Sequence, residues 1–194
     1  MIHDNYPLPL IKTILEQLQG RSLFMKFNIR WGYNNIQIKE GDEWKAAFKT
    51  PKGLFEPRVM FFGLTNSPAT FQRTMNRMFR EMKMRYPTEL FVYMDDILIA
   101  TNDNQTCHRQ IVHGVLDKLE EESYFLRLAK CKFEKEKVDY LGVVISRERI
   151  HIDPIKVKGL RKWPRTLSTL KQVQSTLGIL GYQRPFIPGF AHIA

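Results

Sequence analysis

Apolar positions along the chain follow two rhythms, one helical and one alternating, and their order predicts a mixed fold. After Pro7-Leu8-Pro9, residues Leu10, Ile11, Ile14, Leu15 and Leu18 keep helical spacing until Gly20. Leu23, Met25, Phe27 and Ile29 then alternate with Phe24, Lys26 and Asn28, which predicts a strand with two distinct faces. Residues 34–62 hold short strand-like pieces (Ile36/Ile38, Ala46–Phe48, Val59–Phe62) divided by turn signals at Gly41-Asp42 and Pro51-Lys52-Gly53. Asn66-Ser67-Pro68 predicts a helix start, with a capping side chain and proline at the first helical position. That helix turns Phe71, Met75, Met78, Phe79 and Met82 inward and ends at Tyr86-Pro87.

In Leu90–Ala100 two apolar runs flank an acidic pair. A helix over about 105–122 follows, carried by Ile111, Val112, Val115, Leu116 and Leu119. Tyr124–Leu128 and Val138–Ile145 read as strand-like. Asp153-Pro154 and Ser168 read as caps of two more helices, the second with Leu170, Val173, Leu177 and Leu180 on one side. Strands close in sequence with helices between them give the α+β class. The composition shift near residue 146 marks the one plausible boundary.

Composition narrows the function classes. A chain of 194 residues, 43% hydrophobic and 26% charged, has material for one domain or somewhat more, with a core. No window approaches the about 18 apolar residues of a membrane span, and the N-terminus lacks a secretion signal. Cys107 and Cys131 build neither a disulfide framework nor a four-thiolate zinc site. The expectation is an intracellular protein, of the cytoplasm or, as an alternative, the nucleus. Thirty Lys+Arg against 20 Asp+Glu leave +10, which favours a polyanion, and nucleic acid leads because the 12% aromatics can stack on bases. Residues 143–194 hold nine of the cations (Arg147, Arg149, Lys156, Lys158, Arg161, Lys162, Arg165, Lys171, Arg184) against Glu148 and Asp153, so +7 lies there.

Asp95-Asp96 is the strongest chemical feature. The apolar flanks (Phe91, Val92, Ile97, Leu98, Ile99) imply buried strands with the two carboxylates at their junction. Such a pair reads either as a polar hairpin tip or as a site where a divalent cation relieves carboxylate repulsion. Hard oxygen ligands of this kind suit Mg²⁺.

The residues around the pair carry a resemblance. Tyr93-Met94-Asp95-Asp96 is similar to the signature tetrad of reverse transcriptases. Phe62-Gly63-Leu64-Thr65-Asn66-Ser67-Pro68-Ala69-Thr70-Phe71-Gln72 resembles the family's template- and nucleotide-positioning motif. Lys130-Cys131-Lys132-Phe133 resembles the segment with the lysine near the incoming triphosphate, and Tyr140-Leu141-Gly142 the primer grip. Leu177-Gly178 and Tyr182-Gln183-Arg184-Pro185-Phe186-Ile187 resemble the thumb of Ty3/gypsy-type long-terminal-repeat retrotransposon polymerases.

The resemblance implies a right-hand polymerase: a palm over 1–146 with finger strands inserted at about 34–66, and a partial thumb or connection over 147–194. It implies RNA-directed DNA polymerase activity, with transfer of a deoxynucleotide to a primer 3′-OH on an RNA or DNA template. Two Mg²⁺ ions, with Mn²⁺ as an alternative, would be held by Asp95 and Asp96. Tyr33 falls at the steric-gate position. Trp31 and Gly32 would present backbone N–H groups to the triphosphate beside Phe62, and Lys130 would meet the leaving pyrophosphate. Gly63, Asn66, Ser67, Pro68, Gln72, Tyr140, Leu141 and Gly142 would meet template and primer. No membrane partner is implied, the oligomeric state is left open, and the resemblance adds a retrotransposon particle to the expected locations.

One position departs from the pattern. The family's first metal-ligand aspartate lies five residues before the steric-gate aromatic, where this chain has Asn28. An amide has nearly the shape of a carboxylate, so folding should survive, but it is neutral and offers one acceptor oxygen. Polymerase activity reduced by orders of magnitude is expected, with a non-catalytic nucleic-acid-binding remnant or subunit as the alternative. Pro185 stands where relatives carry an arginine. The N-terminal finger strands expected of the family are not represented, which implies an excerpt of a longer polyprotein or a decayed copy. His3, His108, His113, His151 and His192 lack zinc spacing, and Met75, Met78, Met82 and Met84 read as core fillers.

Overall fold

The computed structural model describes residues 4–154, 157–158 and 166–193. Strand β1 (Leu23–Asn28) is its organising element. It pairs antiparallel with β5 (Asp96–Thr101) on one side and β6 (Lys132–Lys135) on the other, and β4 (Leu90–Tyr93) completes a four-stranded sheet in the order β4-β5-β1-β6. The alternation within β1 is real, but both of its faces are covered. Met25, Phe27 and Ile29 join Ile97 and Ile99 against α2 (Ser67–Met78) and α4 (Gln105–Glu121), through Phe71, Met75, Ile111 and Val115. Phe24 joins Leu98 and Ala100 on the opposite face. There they meet Ile14 and Leu18 of the α1 segment (α1, Ile11–Gln17) together with Val138, Tyr140, Val143 and Ile145.

The last four residues belong to a second sheet of three antiparallel strands, β7 (Lys137–Tyr140), β8 (Val143–Ser146) and β9 (Ile150–Ile152). The segment read as one strand over Val138–Ile145 is therefore a hairpin. Its two-residue loop, Leu141-Gly142, takes φ 46° and 76°, the positive values of a type I′ turn. Leucine reaches that region at a steric cost that glycine escapes.

Other elements depart from the pattern reading in instructive ways. The helix expected to run from Ser67 to Tyr86 is interrupted at Phe79, and α3 (Arg80–Arg85) follows it. Asn66 flanks α2 without capping it; its Oδ1 accepts instead from the Asp4 N–H at 3.1 Å. Residues 36–38 and 58–60 do pair, through Ile38 N–H to Arg58 O and Met60 N–H to Ile36 O (both 2.9 Å), but form no strand beyond one bridge. Ala46 closes a 3₁₀ turn (Glu43–Ala46) ahead of the β2–β3 hairpin (Phe48–Thr50, Gly53–Phe55). Residues 124–128 form no strand: Leu126 makes a single bridge to Ile29, just past β1, Arg127 N–H is bonded to Asn28 O at 2.8 Å, and Leu128 already opens a 3₁₀ turn.

Near the C-terminus, Thr169 rather than Ser168 caps α5 (Leu170–Tyr182), in a reciprocal capping box with Gln172. A short α6 (Phe190–Ile193) ends the described chain. Most of the helix expected after Asp153-Pro154 lies outside the described residues, with Lys156, Arg161, Lys162 and Arg165. Among the described residues no helix is long and apolar enough to cross a membrane.

Candidate active site

The β4–β5 hairpin turns on Met94-Asp95, since Tyr93 pairs with Asp96, and Met94 sits at φ 53°. A two-residue loop on two buried strands puts both carboxylates at the sheet's end, beside the end of β1, where Asn28 lies directly opposite Asp96. Asn28 is only 4% exposed. Its Nδ2 donates to Asp95 Oδ2 and to Asp96 Oδ1, both at 2.9 Å. The Ile29 N–H ties the turn to β1 at Asp95 O, 2.8 Å away. The three residues singled out as the centre are thus brought together, and both hydrogens of one amide are spent on the two acids.

Burial pushes the Asp96 carboxyl above the ordinary carboxylate range, and the neighbouring Asp95 adds to that shift. The Lys26 charge, the Asn28 hydrogen bond and the Lys130 charge oppose it. Lys130 itself is exposed, in a 3₁₀ turn over Leu128–Lys130. Lys26, which sequence reasoning left as a polar strand position, is buried two residues from Asn28 on the same face. Its ammonium donates to Asp139 O at 2.9 Å and Asp139 Oδ2 at 3.1 Å.

Beside Asp95 lies a cavity of about 70 Å³ lined by Gly32, Tyr33, Phe62, Phe71 and Met94. Tyr33 packs edge-on against Phe62 and Phe71, with centroids 4.8 and 5.5 Å apart. Burial and the Asp95 charge raise the Tyr33 hydroxyl above its ordinary range. Gly32 is required here because a Cβ would stand 2.8 Å from Phe71 Cζ. Trp31 enters this turn in the left-handed region (φ 51°), with its ring exposed and the Arg30 guanidinium 4.2 Å from the ring centroid. Phe62, 80% exposed, forms the outer wall.

Gln72, expected among the residues that meet template and primer, is fully buried. Its Oε1 accepts from Met94 N–H at 2.7 Å and its Nε2 donates to Val92 O at 3.1 Å, which clamps the acidic turn to α2. Ser67 is buried as well and donates to Phe61 O at 3.2 Å, while Pro68 occupies the first turn of α2. Asn66 and Ser67 border a separate open groove of about 980 Å³ alongside Gln37, Trp44 and Thr70. Gly63 sits at φ 103° in the loop between. Tyr140 is buried, its hydroxyl has no hydrogen-bond partner among the described residues, and burial raises that group well above its ordinary range, with the Asp96 charge adding to the shift. The Leu141-Gly142 turn follows it directly.

Among the described residues no three His, Cys, Asp or Glu side chains gather to hold a metal. Two carboxylates fit one hard cation that takes its remaining ligands from substrate phosphates. A pair of ions fits poorly, because the third position offers a neutral amide whose hydrogens already point at both acids.

Comparison with known proteins agrees with this architecture. A family model described as "Reverse transcriptase (RNA-dependent DNA polymerase)" matches residues 1–145. The chain is 36% identical over 193 residues to the "Retrovirus-related Pol polyprotein from transposon 297" of Drosophila melanogaster. It is 34% identical over 183 residues to the "Transposon Tf2-3 polyprotein" of Schizosaccharomyces pombe. The match takes in 100% and 94% of the chain but only 18% and 13% of those two polyproteins, so the chain spans less than a fifth of their length. Its fold is similar to foamy viral protease-reverse transcriptase in complex with double-stranded DNA, at a TM-score of 0.87 and 23% identity over 100% of this chain and 33% of that one. The same viral protein with an RNA/DNA hybrid gives 0.81 at 22% identity, over 94% of this chain and 24% of that one.

Proposed function

The chain belongs to the reverse transcriptase (RNA-dependent DNA polymerase) family, and from that premise we propose that it is a primer–template-binding polymerase domain whose nucleotidyl transfer is strongly impaired. The observation that carries this reading is the Asn28 amide, hydrogen-bonded to both Asp95 and Asp96. In this reading residues 1–146 form the palm, with fingers inserted at about 34–66, and 147–194 begin the thumb. RNA or DNA template with primer, and deoxynucleoside triphosphates, are the ligands.

Asp95 and Asp96 would hold the divalent cation, Mg²⁺ or Mn²⁺. When bound, it supplies charge neutralisation at the transferring phosphoryl group and a lowered proton affinity of the attacking hydroxyl. The chain's own residues supply placement. Tyr33, braced by Phe62 and Phe71, walls the cavity beside Asp95 against a sugar bearing a 2′-OH. Backbone N–H groups of Trp31 and Gly32 face the triphosphate, and Lys130 adds positive charge near the leaving group. Gln72 keeps the acidic turn in register with α2, and the Leu141-Gly142 turn meets the primer strand. The groove beside Asn66 and Ser67 takes the template.

Asn28 lowers the formal charge of the centre from three negative groups to two and replaces an anionic ligand with a hydrogen-bond donor aimed at its neighbours. A non-catalytic role, gripping primer–template without extending it, is favoured by that same contact. Primer extension with Mg²⁺, comparing the chain with Asn28→Asp and Asp95→Asn, tests the reading. Extension is expected to be near background in the unaltered chain, absent in Asp95→Asn, and raised by about a hundredfold or more in Asn28→Asp, the scale of one lost electrostatic contact in a transition state. Near-normal rates with Asn28 in place, or no gain in Asn28→Asp, would refute it. RNA–DNA duplex binding that weakens linearly on a log–log salt plot is expected in every case.

A further inference from the structure

We infer that Lys26 is a positioning residue: by clamping Asp139 it holds the β7–β8 hairpin, and with it the Leu141-Gly142 turn, at a fixed offset from the Asp95–Asp96 pair. The assignment rests on the reading that this turn meets the primer strand.

Lysine is seldom buried, and its ammonium has only donors to offer, so a buried one must find acceptors. Lys26 is 8% exposed, and two of its hydrogens go to one residue, to Asp139 O and to Asp139 Oδ2. A methionine would fill the same volume without desolvating a charge, so packing alone does not call for lysine here. What the ammonium adds is direction. β1 belongs to the four-stranded sheet and β7 to the three-stranded one, and the two sheets meet mainly through apolar side chains such as Phe24, Leu98, Val138 and Tyr140, with one exposed ion pair, Arg147 to Asp103 at 3.4 Å, just beyond the ends of β8 and β5. Apolar contact resists separation but permits sliding. Two hydrogen bonds to one peptide unit and its carboxylate do not.

The placement of the two ends gives the tie its use. Lys26 lies two residues before Asn28, on the face that carries Asn28 toward the acids. Asp139 lies two residues before Leu141, at the rim of the hairpin loop. A slip of one peptide unit between β1 and β7 would therefore move the loop relative to the acids by the same amount. The bond to Asp139 O grips main chain directly, so it survives a change of the Asp139 side chain. This orders the expected effects: Lys26→Met loses both contacts, Asp139→Asn weakens one, and Lys26→Arg can restore both.

The test uses the unaltered chain and these three variants, bound to an RNA–DNA duplex whose primer ends in a photoreactive 3′ nucleotide. Crosslinked peptides are mapped by mass spectrometry, and duplex affinity and thermal stability are measured on the same samples. Crosslinking to the peptide that contains Leu141-Gly142 is expected to fall about tenfold in Lys26→Met, and less in Asp139→Asn, a range consistent with small misplacements of a reacting end. Lys26→Arg is expected to restore it, while duplex affinity stays within about threefold, since the phosphate contacts are elsewhere. An unchanged crosslink map in Lys26→Met overturns the assignment, as does a loss that Lys26→Arg fails to restore, which would mark mere packing. Should Lys26→Met not fold, Lys26→Gln, which removes the ammonium but keeps a polar head, takes its place, and an unchanged crosslink map there overturns the assignment. Absence of duplex binding in the unaltered chain is a distinct outcome: it removes the functional reading, and this assignment with it.

Discussion

Replacing Asn28 by aspartate exchanges one NH₂ for an oxygen and should reveal how the centre balances charge. In the native chain the amide donates to Asp95 and Asp96 at 2.9 Å each. The substitution removes both charge-assisted hydrogen bonds, each about 1.5–3 kcal/mol. It also sets a third carboxylate against two others at roughly 4 Å, a repulsion of about 4 kcal/mol per pair at an effective dielectric near 20. The full sum is never reached, because one carboxyl can take up a proton instead. Holding a proton at about pH 7 on a group that ordinarily titrates near 4 costs about 4 kcal/mol, and that sets the ceiling. For a chain of this size, about 4 kcal/mol corresponds to a melting temperature lower by roughly 8–16 °C in chelator-containing buffer. Millimolar Mg²⁺ should recover much of that loss in Asn28→Asp and leave the native chain nearly unmoved. Scanning calorimetry with and without Mg²⁺ measures both effects. Equal melting temperatures in chelator, or the same Mg²⁺ shift in both proteins, would refute the account of Asn28 as an internal counter-donor.

Three further outcomes follow from the same geometry. Gln72→Leu keeps the volume but leaves the Met94 N–H and Val92 C=O beside α2 without their amide partner, so urea denaturation should register a loss of about 2–4 kcal/mol; a loss below about 1 kcal/mol would show that the turn needs no clamp. Gly32→Ala drives a Cβ to within 2.8 Å of Phe71 Cζ, with an expected cost of about 1–3 kcal/mol that Phe71→Leu in the same chain should largely cancel in a double-mutant cycle. His108 is buried with Nδ1 2.9 Å from Thr101 Oγ1, and burial foremost lowers its proton affinity below the ordinary 6.5. The unfolded chain therefore takes up the proton first as pH falls. Stability should drop below about pH 6.5, by up to about 1.4 kcal/mol per pH unit down to the folded-state value, a slope that urea titrations of His108→Gln should lack.

How far the sequence foretold this molecule depends on whether the deciding contact was local. Alternation in Leu23–Ile29 located β1 and sorted its faces correctly, because period two is a property of the strand itself. The same alternation could not say that Lys26 is buried, since what covers it is β7, more than a hundred residues later. Gln72 followed Phe71 in a helical pattern and read as a motif residue facing nucleic acid. Its use as a clamp depends on the distance from α2 to β4, which no periodicity encodes. β6 and β9 escaped notice because Lys132–Lys135 is charged and exposed and Ile150–Ile152 is three residues long. The meeting of Asn28 with Asp95 and Asp96 was anticipated from the resemblance, whereas the direction of the amide's hydrogens comes from the structure.

Gripping a duplex and extending a primer draw on charge in different ways, and one substitution can therefore part them. A grip sums over many phosphates, so under the proposed function each Lys or Arg that meets one contributes a similar share, and losing one lowers the salt slope by about one unit. The acidic centre has no such redundancy. Its ligands converge within hydrogen-bond distance, and exchanging one carboxylate oxygen for an NH₂ turns a repulsive contact into an attractive one. The exchange that weakens the centre for a cation is thus the one that relieves the fold of crowded like charge. A chain carrying Asn28 is expected to be more stable without metal than its aspartate counterpart and as able to hold nucleic acid. Any selection acting on stability or on binding alone would leave Asn28 in place, and only selection for catalysis opposes it.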